Sequence, residues 1–228
     1  MRVAFLSEGA TELGFAPGAR ADDAPLRDFF LRIVVERMLG VQGELCPLQN
    51  AGIGYLRGAG AGRLCRDGAK MVRECCRAGA EAAVIVIDRD RTAPRERWRR
   101  LDEQRRRIRE DRERPVAIPV AIGVAVETIE AWLLADELAL CRVLGLPNPE
   151  KPMASPEGLD GTPGEATHPK CVLNRYFARD TKQDREFLDR VAAVAREMDL
   201  DVVARMCPEG FERFRSDVMA QVGPLFSA

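Results

Sequence analysis

The segment Ala82-Ala-Val-Ile-Val-Ile-Asp88 leaves few options for the rest of the chain. It is rich in β-branched residues, uncharged until its last position, and shows no alternation of apolar and polar side chains. Such a run reads as a strand covered on both faces, the middle of a parallel sheet with helices on either side. The surrounding sequence supplies the partners. Val3-Ala-Phe-Leu6 and the valine- and isoleucine-rich stretch 116–126 read as further strands, and 44–48 as a short one. Between them lie helical patterns. Pro25 opens an amphipathic run in which Phe29, Phe30, Ile33, Val34 and Met38 recur at helical spacing up to Gly40. A second helix is expected over 63–78, after a glycine-rich loop at 52–62 that lacks the G-K-[ST] ending of a phosphate-binding loop. An arginine-dense third helix is expected over 94–114.

Strands alternating with helices predict an α/β fold with a mostly parallel, Rossmann-like sheet flanked by helices. Residues 1–140 are expected to form this core, and residues 141–228 a Pro/Gly-rich linker with a helical lobe packed on it. The linker reading covers 145–169, which offers no periodicity and is expected to be exposed. Helical patterns follow at 171–177, 187–198 and 211–222.

Bulk properties narrow the function. The 35 basic and 36 acidic residues give no global field for nucleic acid or membrane, so any basic surface is local. Seven cysteines without a C-x-x-C, together with a single histidine, fit neither a zinc site nor a disulfide framework. Reduced thiols are expected. No apolar run approaches the roughly 20 residues of a membrane span and no signal-peptide pattern opens the chain, so a cytoplasmic protein is expected.

The chemistry concentrates where the predicted strands end. Glu8 and Glu12 follow the first strand, Asp88 and Asp90 close the central one, and Glu127 and Glu130 follow the third. In open α/β sheets ligands bind beyond the carboxyl ends of the strands. Each pair alone has an ordinary explanation: a first-turn acid, a turn aspartate, or a solvated edge of a helix whose Ile129, Trp132 and Leu133 make the buried face. Together they crowd one edge with carboxylates, which repel unless a cation neutralises them. Hard oxygen donors suit Mg²⁺ or Mn²⁺. On the predicted third helix, Arg95, Arg99 and Arg106 could grip phosphate backbone, or form a solvated face laced with i,i+4 pairs. Trp98 is expected to pack inward.

S-E-G-A-T-E, V-I-V-I-D-R-D and V-E-T-I-E-A-W-L-L-A-D, each after a predicted strand, resemble the acidic motifs of Toprim domains. More closely, the combination is similar to a Toprim-like family of unknown function related to the overcoming-lysogenization-defect (OLD) nucleases. That resemblance implies a Toprim fold, Mg²⁺-dependent cutting of nucleic acid, and Glu8, Glu12, Asp88, Asp90 and Glu130 as metal ligands, with Glu8 also an acid/base candidate. It further implies an ATPase partner and a role in phage defence, and leaves a homo-oligomer open. The two tyrosines, Tyr55 and Tyr176, stand in no recognisable nucleophile context, so water is the expected nucleophile. A catalytic lysine would be Lys170 in H-P-K, or Lys182 in D-T-K-Q-D; His168 is expected to be a turn residue. Two other readings stand beside this one. D-R-D-R-T also fits the signature of haloacid-dehalogenase-like phosphatases, with Asp88 as nucleophile and Thr92 as phosphate ligand, but no later paired-aspartate motif follows. A metal-binding adaptor without catalysis is the third.

Overall fold

The computed structural model describes residues 1–7, 13, 28–47, 61–89, 94–110, 118–151, 153–159, 161–162, 164–177 and 185–226. Its centre is a parallel sheet of four strands in the order β2-β1-β3-β4: β1 (Arg2–Ser7), β2 (Cys46–Pro47), β3 (Ala82–Asp88) and β4 (Val120–Ala125). β3 lies between β1 and β4, with Val84 level with Phe5 in β1 and with Ala121 in β4. The central position inferred for the Ala82–Asp88 run is the observed one, and the fold is the expected mixed α/β class.

Period-two alternation sorts the strand side chains into two cores. Val3, Val84, Val86, Ala121 and Ala125 face one side, where α1 (Phe30–Leu39) contributes Phe30, Leu31 and Val34. Ala4, Leu6, Ala83, Ile85, Ile87, Ile122 and Val124 face the other, against α2 (Ala61–Arg77) and α3 (Pro94–Glu110). Burial on both faces explains why β3 carries no polar side chain before Asp88. α1 stops where expected, because Gly40 takes the left-handed conformation (φ 70°) that closes a helix through backbone hydrogen bonds to Arg37 and Glu36.

Beyond β4 come α4 (Glu130–Leu134), α5 (Glu137–Leu144), α6 (Pro169–Tyr176), α7 (Arg185–Glu197), α8 (Leu200–Met206) and α9 (Phe211–Gln221). Residue 140 falls within α5, and α6, α7 and α9 share one apolar cluster with α1 and the sheet. The segment 145–169 is not the uniformly exposed loop expected from its composition. It contains a 3-10 turn, Pro156–Gly158, in which Pro156 is buried and the Glu157 carboxylate accepts N–H bonds from Gly210 (2.7 Å) and Glu209 (3.0 Å). Glu157 thereby clamps the start of α9. Burial raises its carboxyl above the usual range, against the opposing pull of those N–H donors.

α9 lies along the outer edge of β4, where unpaired strand groups would otherwise face solvent. The Asp217 carboxylate accepts the Ile122 N–H at 2.7 Å and is itself held by Arg105 of α3 at 2.8 Å. Phe214 of α9 is fully buried and stacks on Trp132, with centroids 5.5 Å apart. A Cβ at Gly123 would meet the Phe214 ring at 2.7 Å and the Val86 side chain at 3.2 Å. The close approach of α9 therefore needs glycine at 123. Gly123→Ala should lower stability by about 1–3 kcal/mol through overpacking, measured by urea unfolding, and Phe214→Leu in the same chain should recover part of the loss. An unchanged unfolding midpoint in the single variant would contradict this packing.

Candidate active site

The chain leaves β1 toward β2 on one side and later returns to β3 on the other. The strand order therefore reverses between β1 and β3. Such a switch point opens a crevice beyond the carboxyl ends of the two strands, where connecting segments diverge. Ser7, buried at the end of β1, is level with Val86, and Asp88 extends two residues further. Asp88 in turn is level with Ala125, the last residue of β4.

Asp88 shares the strand face of Val84 and Val86, the side on which α4 packs. Its Oδ1 accepts the backbone N–H of Ile129 at 3.0 Å, so this carboxylate ties the end of β3 to the residue that precedes α4. Arg89 continues the ladder, its N–H donating to the Ala125 carbonyl at 2.9 Å, and its side chain forms an ion pair with Glu127. Arg97 of α3 donates to the Arg89 carbonyl at 3.3 Å, which fixes the first turns of α3 beside the same edge. The Thr128 hydroxyl is buried here with no partner among the described residues.

Glu127 departs from its expected place. It was to share a helix face with Glu130, but α4 begins only at Glu130, and Glu127 lies in the turn after β4. The reason is backbone conformation. Glu127 has φ 60° and is the one non-glycine residue with positive φ among the described residues. A left-handed residue cannot continue a right-handed helix, and it costs about 1–2 kcal/mol where a Cβ is present. Glu127 is also buried, its charge met by Arg89. Strain and a buried acid in one residue at the ligand edge mark a position held by more than local preference.

Glu130 is half-buried at the start of α4 and borders a narrow crevice lined by Phe30, Leu133, Leu173 and Phe187. Lys170 is exposed in the first turn of α6, three residues before Leu173 of that crevice. His168 is the helix cap of α6, its buried Nδ1 accepting the Lys170 N–H at 3.2 Å, which agrees with its reading as a turn residue. Arg95, Arg99 and Arg106 are exposed on α3, and Trp98 packs inward as expected. Glu8, Glu12, Asp90, Thr92 and Lys182 lie outside the described residues.

The structure thus brings Asp88, Arg89, Glu127 and Glu130 to the ends of two adjacent strands. Among the described residues no group of three His, Cys, Asp or Glu side chains could by itself hold a metal ion. Asp88 and Glu130 supply hard oxygen donors of the kind Mg²⁺ takes, while Glu127 is engaged by Arg89. Arg89 was not singled out in the sequence. Its only signal there was its place between the two aspartates of D-R-D.

The chain belongs to the family described as domain of unknown function DUF4276, which matches residues 28–218. The match includes Asp88, Asp90, Glu127 and Glu130 and begins after Glu8 and Glu12. No curated protein and no solved structure matches the chain.

The strain at Glu127 is measurable. Glu127→Gln and Glu127→Gly both remove the charge facing Arg89, but only glycine accepts the left-handed backbone freely. The glycine variant should be the more stable by about 0.5–1 kcal/mol in urea unfolding, after its greater unfolded-state entropy is counted. A glycine variant less stable than the glutamine one would show that position 127 is unstrained.

Proposed function

We propose that this DUF4276 protein is a Mg²⁺- or Mn²⁺-dependent phosphodiester hydrolase of nucleic acid, of the Toprim type, with its reacting centre at the carboxyl ends of β1 and β3. The observation that carries this reading is the adjacency of those strands at the point where the strand order reverses. S-E-G-A-T-E begins at Ser7, the last residue of β1, and D-R-D begins at Asp88, the last residue of β3. The acid-rich segments therefore leave neighbouring strands from the same edge of the sheet.

In this reading Glu8, Glu12, Asp88, Asp90 and Glu130 hold the cation. When bound, a divalent ion supplies a water of lowered pKa and neutralises charge on the phosphate. The rest of the chemistry falls to the chain's own groups. Asp88 is presented with one oxygen set by the Ile129 N–H, so its carboxylate cannot swing freely out of the crevice. Arg89 offsets the negative charge of Glu127, which lets a further carboxylate stand close to the site without adding its full repulsion. Glu8 moves the proton of the attacking water, and Lys170 contributes positive charge toward the scissile phosphate. An ATPase partner and a place in phage defence belong to the same proposal. They rest on the resemblance of the motifs.

Asp88→Asn keeps an oxygen to accept the Ile129 N–H while losing the charge. It should therefore fold normally yet bind Mn²⁺ at least about tenfold more weakly, about 1.4 kcal/mol, by calorimetry. Metal-dependent cleavage of plasmid or single-stranded substrate should disappear in Asp88→Asn and in Glu8→Gln. Hydrolysis of a small phosphomonoester that survives Glu8→Gln would overturn the nuclease in favour of a phosphatase built on D-R-D-R-T.

A further inference from the structure

A trough of about 610 Å³ runs between α3 and α9, lined by Arg95, Trp98 and Arg99 on one side and Arg213, Ser216 and Asp217 on the other. Both helices start at the carboxyl edge of the sheet. α3 is fixed there by the Arg97 bond to the Arg89 carbonyl, and α9 by the close approach of Gly210 to the Val124 carbonyl, which a Cβ would meet at 3.0 Å. Toward its other end, Arg105 donates to the carbonyl of Val120, the first residue of β4. The trough therefore leads from the candidate site down the flank of β4.

Its charges are unevenly satisfied. Asp102 and Asp217 are both held by Arg105, at 3.0 and 2.8 Å, and Glu212 is held by Arg215 at 3.0 Å. Arg95, Arg99 and Arg213 are exposed and have no carboxylate partner among the described residues. Arg213 lies over the Trp98 ring, 4.9 Å from its centroid. Arg95 and Arg99 stand one helical turn apart, about 6 Å along the axis. On a chain whose formal net charge is −1, this leaves three guanidinium groups along one trough without a carboxylate partner among the described residues, beside an acidic edge.

We infer that the trough between α3 and α9 is a track for the phosphodiester backbone of a single nucleic-acid strand that reaches the carboxyl edge. Guanidinium groups match phosphate oxygens in charge and fork geometry. A trough of about 610 Å³ with arginines on both walls suits one strand, tracked along its backbone by a positively charged groove. Arg213 already covers Trp98, so the grip is on phosphate rather than on bases and carries no sequence preference. This inference rests on the nucleic-acid reading above and adds the route by which the strand arrives.

Fluorescence anisotropy of a labelled oligodeoxythymidine of about 20 nucleotides, with chelator present to prevent cleavage, tests the track. Arg95→Ala/Arg99→Ala/Arg213→Ala should weaken binding at least about tenfold. It should also make the logarithmic salt dependence shallower by about 2, the value for three phosphate contacts on a single strand. Arg185→Ala/Arg190→Ala, on exposed α7 positions, should leave both unchanged. Because Arg213 also packs on Trp98, Arg95→Glu/Arg99→Glu is the second variant, and it should lose binding without any change at that contact. Wild-type protein that does not bind the strand, equal losses in the α7 control, or full binding by the arginine variants would overturn the track. The hydrolase reading fails separately: a wild type that binds through these arginines but never cuts with Mg²⁺ or Mn²⁺ removes the hydrolase and keeps the track.

Discussion

Burial of β3 on both faces is the constraint from which the rest of the architecture follows. A strand with Ala82 to Ile87 all buried needs helices above and below. Parallel neighbours in turn require crossover connections long enough to hold those helices. α2 and α3 cover one face, and α1 with the later helices covers the other. At roughly 1.5–3 kcal/mol for each large aliphatic side chain buried, this layer dominates the favourable side of folding. Nothing polar is tolerated in β3 until the strand leaves the core, so Asp88 appears at the first position where a carboxylate can be solvated or bonded.

The acids at that edge differ from the other buried acids of the protein. Glu36 is held by Arg32 and accepts the Leu45 N–H at 3.0 Å; Asp136 caps α5 and accepts the Asp199 N–H at 2.8 Å; Glu137 accepts the Met153 N–H at 2.5 Å and the Tyr176 hydroxyl. Asp136 and Glu137 join segments distant in sequence, Glu36 ties its helix to the nearby Leu45, and each has partners that account for it. Burial of Tyr176, together with its hydrogen bond to Glu137, raises the phenol well above its ordinary pKa. Glu127 has a partner too, but it occupies a backbone conformation that a glutamate does not favour, at the one edge where an α/β sheet accepts ligands.

The sheet was legible because its signal is one of composition: an uncharged, β-branched run has few other homes, and Ala82–Asp88 was bounded to the residue. Phe29 to Gly40 was legible through helical spacing and its glycine stop. Three features were not. The left-handed turn at Glu127 has no glycine or asparagine to announce it, so Glu127 read as sharing a helix with Glu130. α8 is only seven residues long, too short to show a period, although Asp199 caps it through the N–H groups of Asp201 and Val202. Glu157 sits among prolines and glycines, and its clamp on α9 depends on residues more than fifty positions away. At the site, the strand-end acids could be read from their spacing, whereas the Arg89–Glu127 pair and the α3–α9 trough exist only once the chain is folded.

The proposed divalent cation would lie at the carboxyl ends of the neighbouring strands β1, β3 and β4. Fe²⁺ takes oxygen ligands in place of Mg²⁺, and with ascorbate and peroxide it cleaves polypeptide backbone close to where it is bound. Mapping the fragments by mass spectrometry should place the cuts near 7–12, 88–90 and 127–130 together, with excess Mg²⁺ suppressing all three in parallel. Cuts at only one of these segments, cuts elsewhere, or cuts indifferent to Mg²⁺ would contradict a shared metal at this edge.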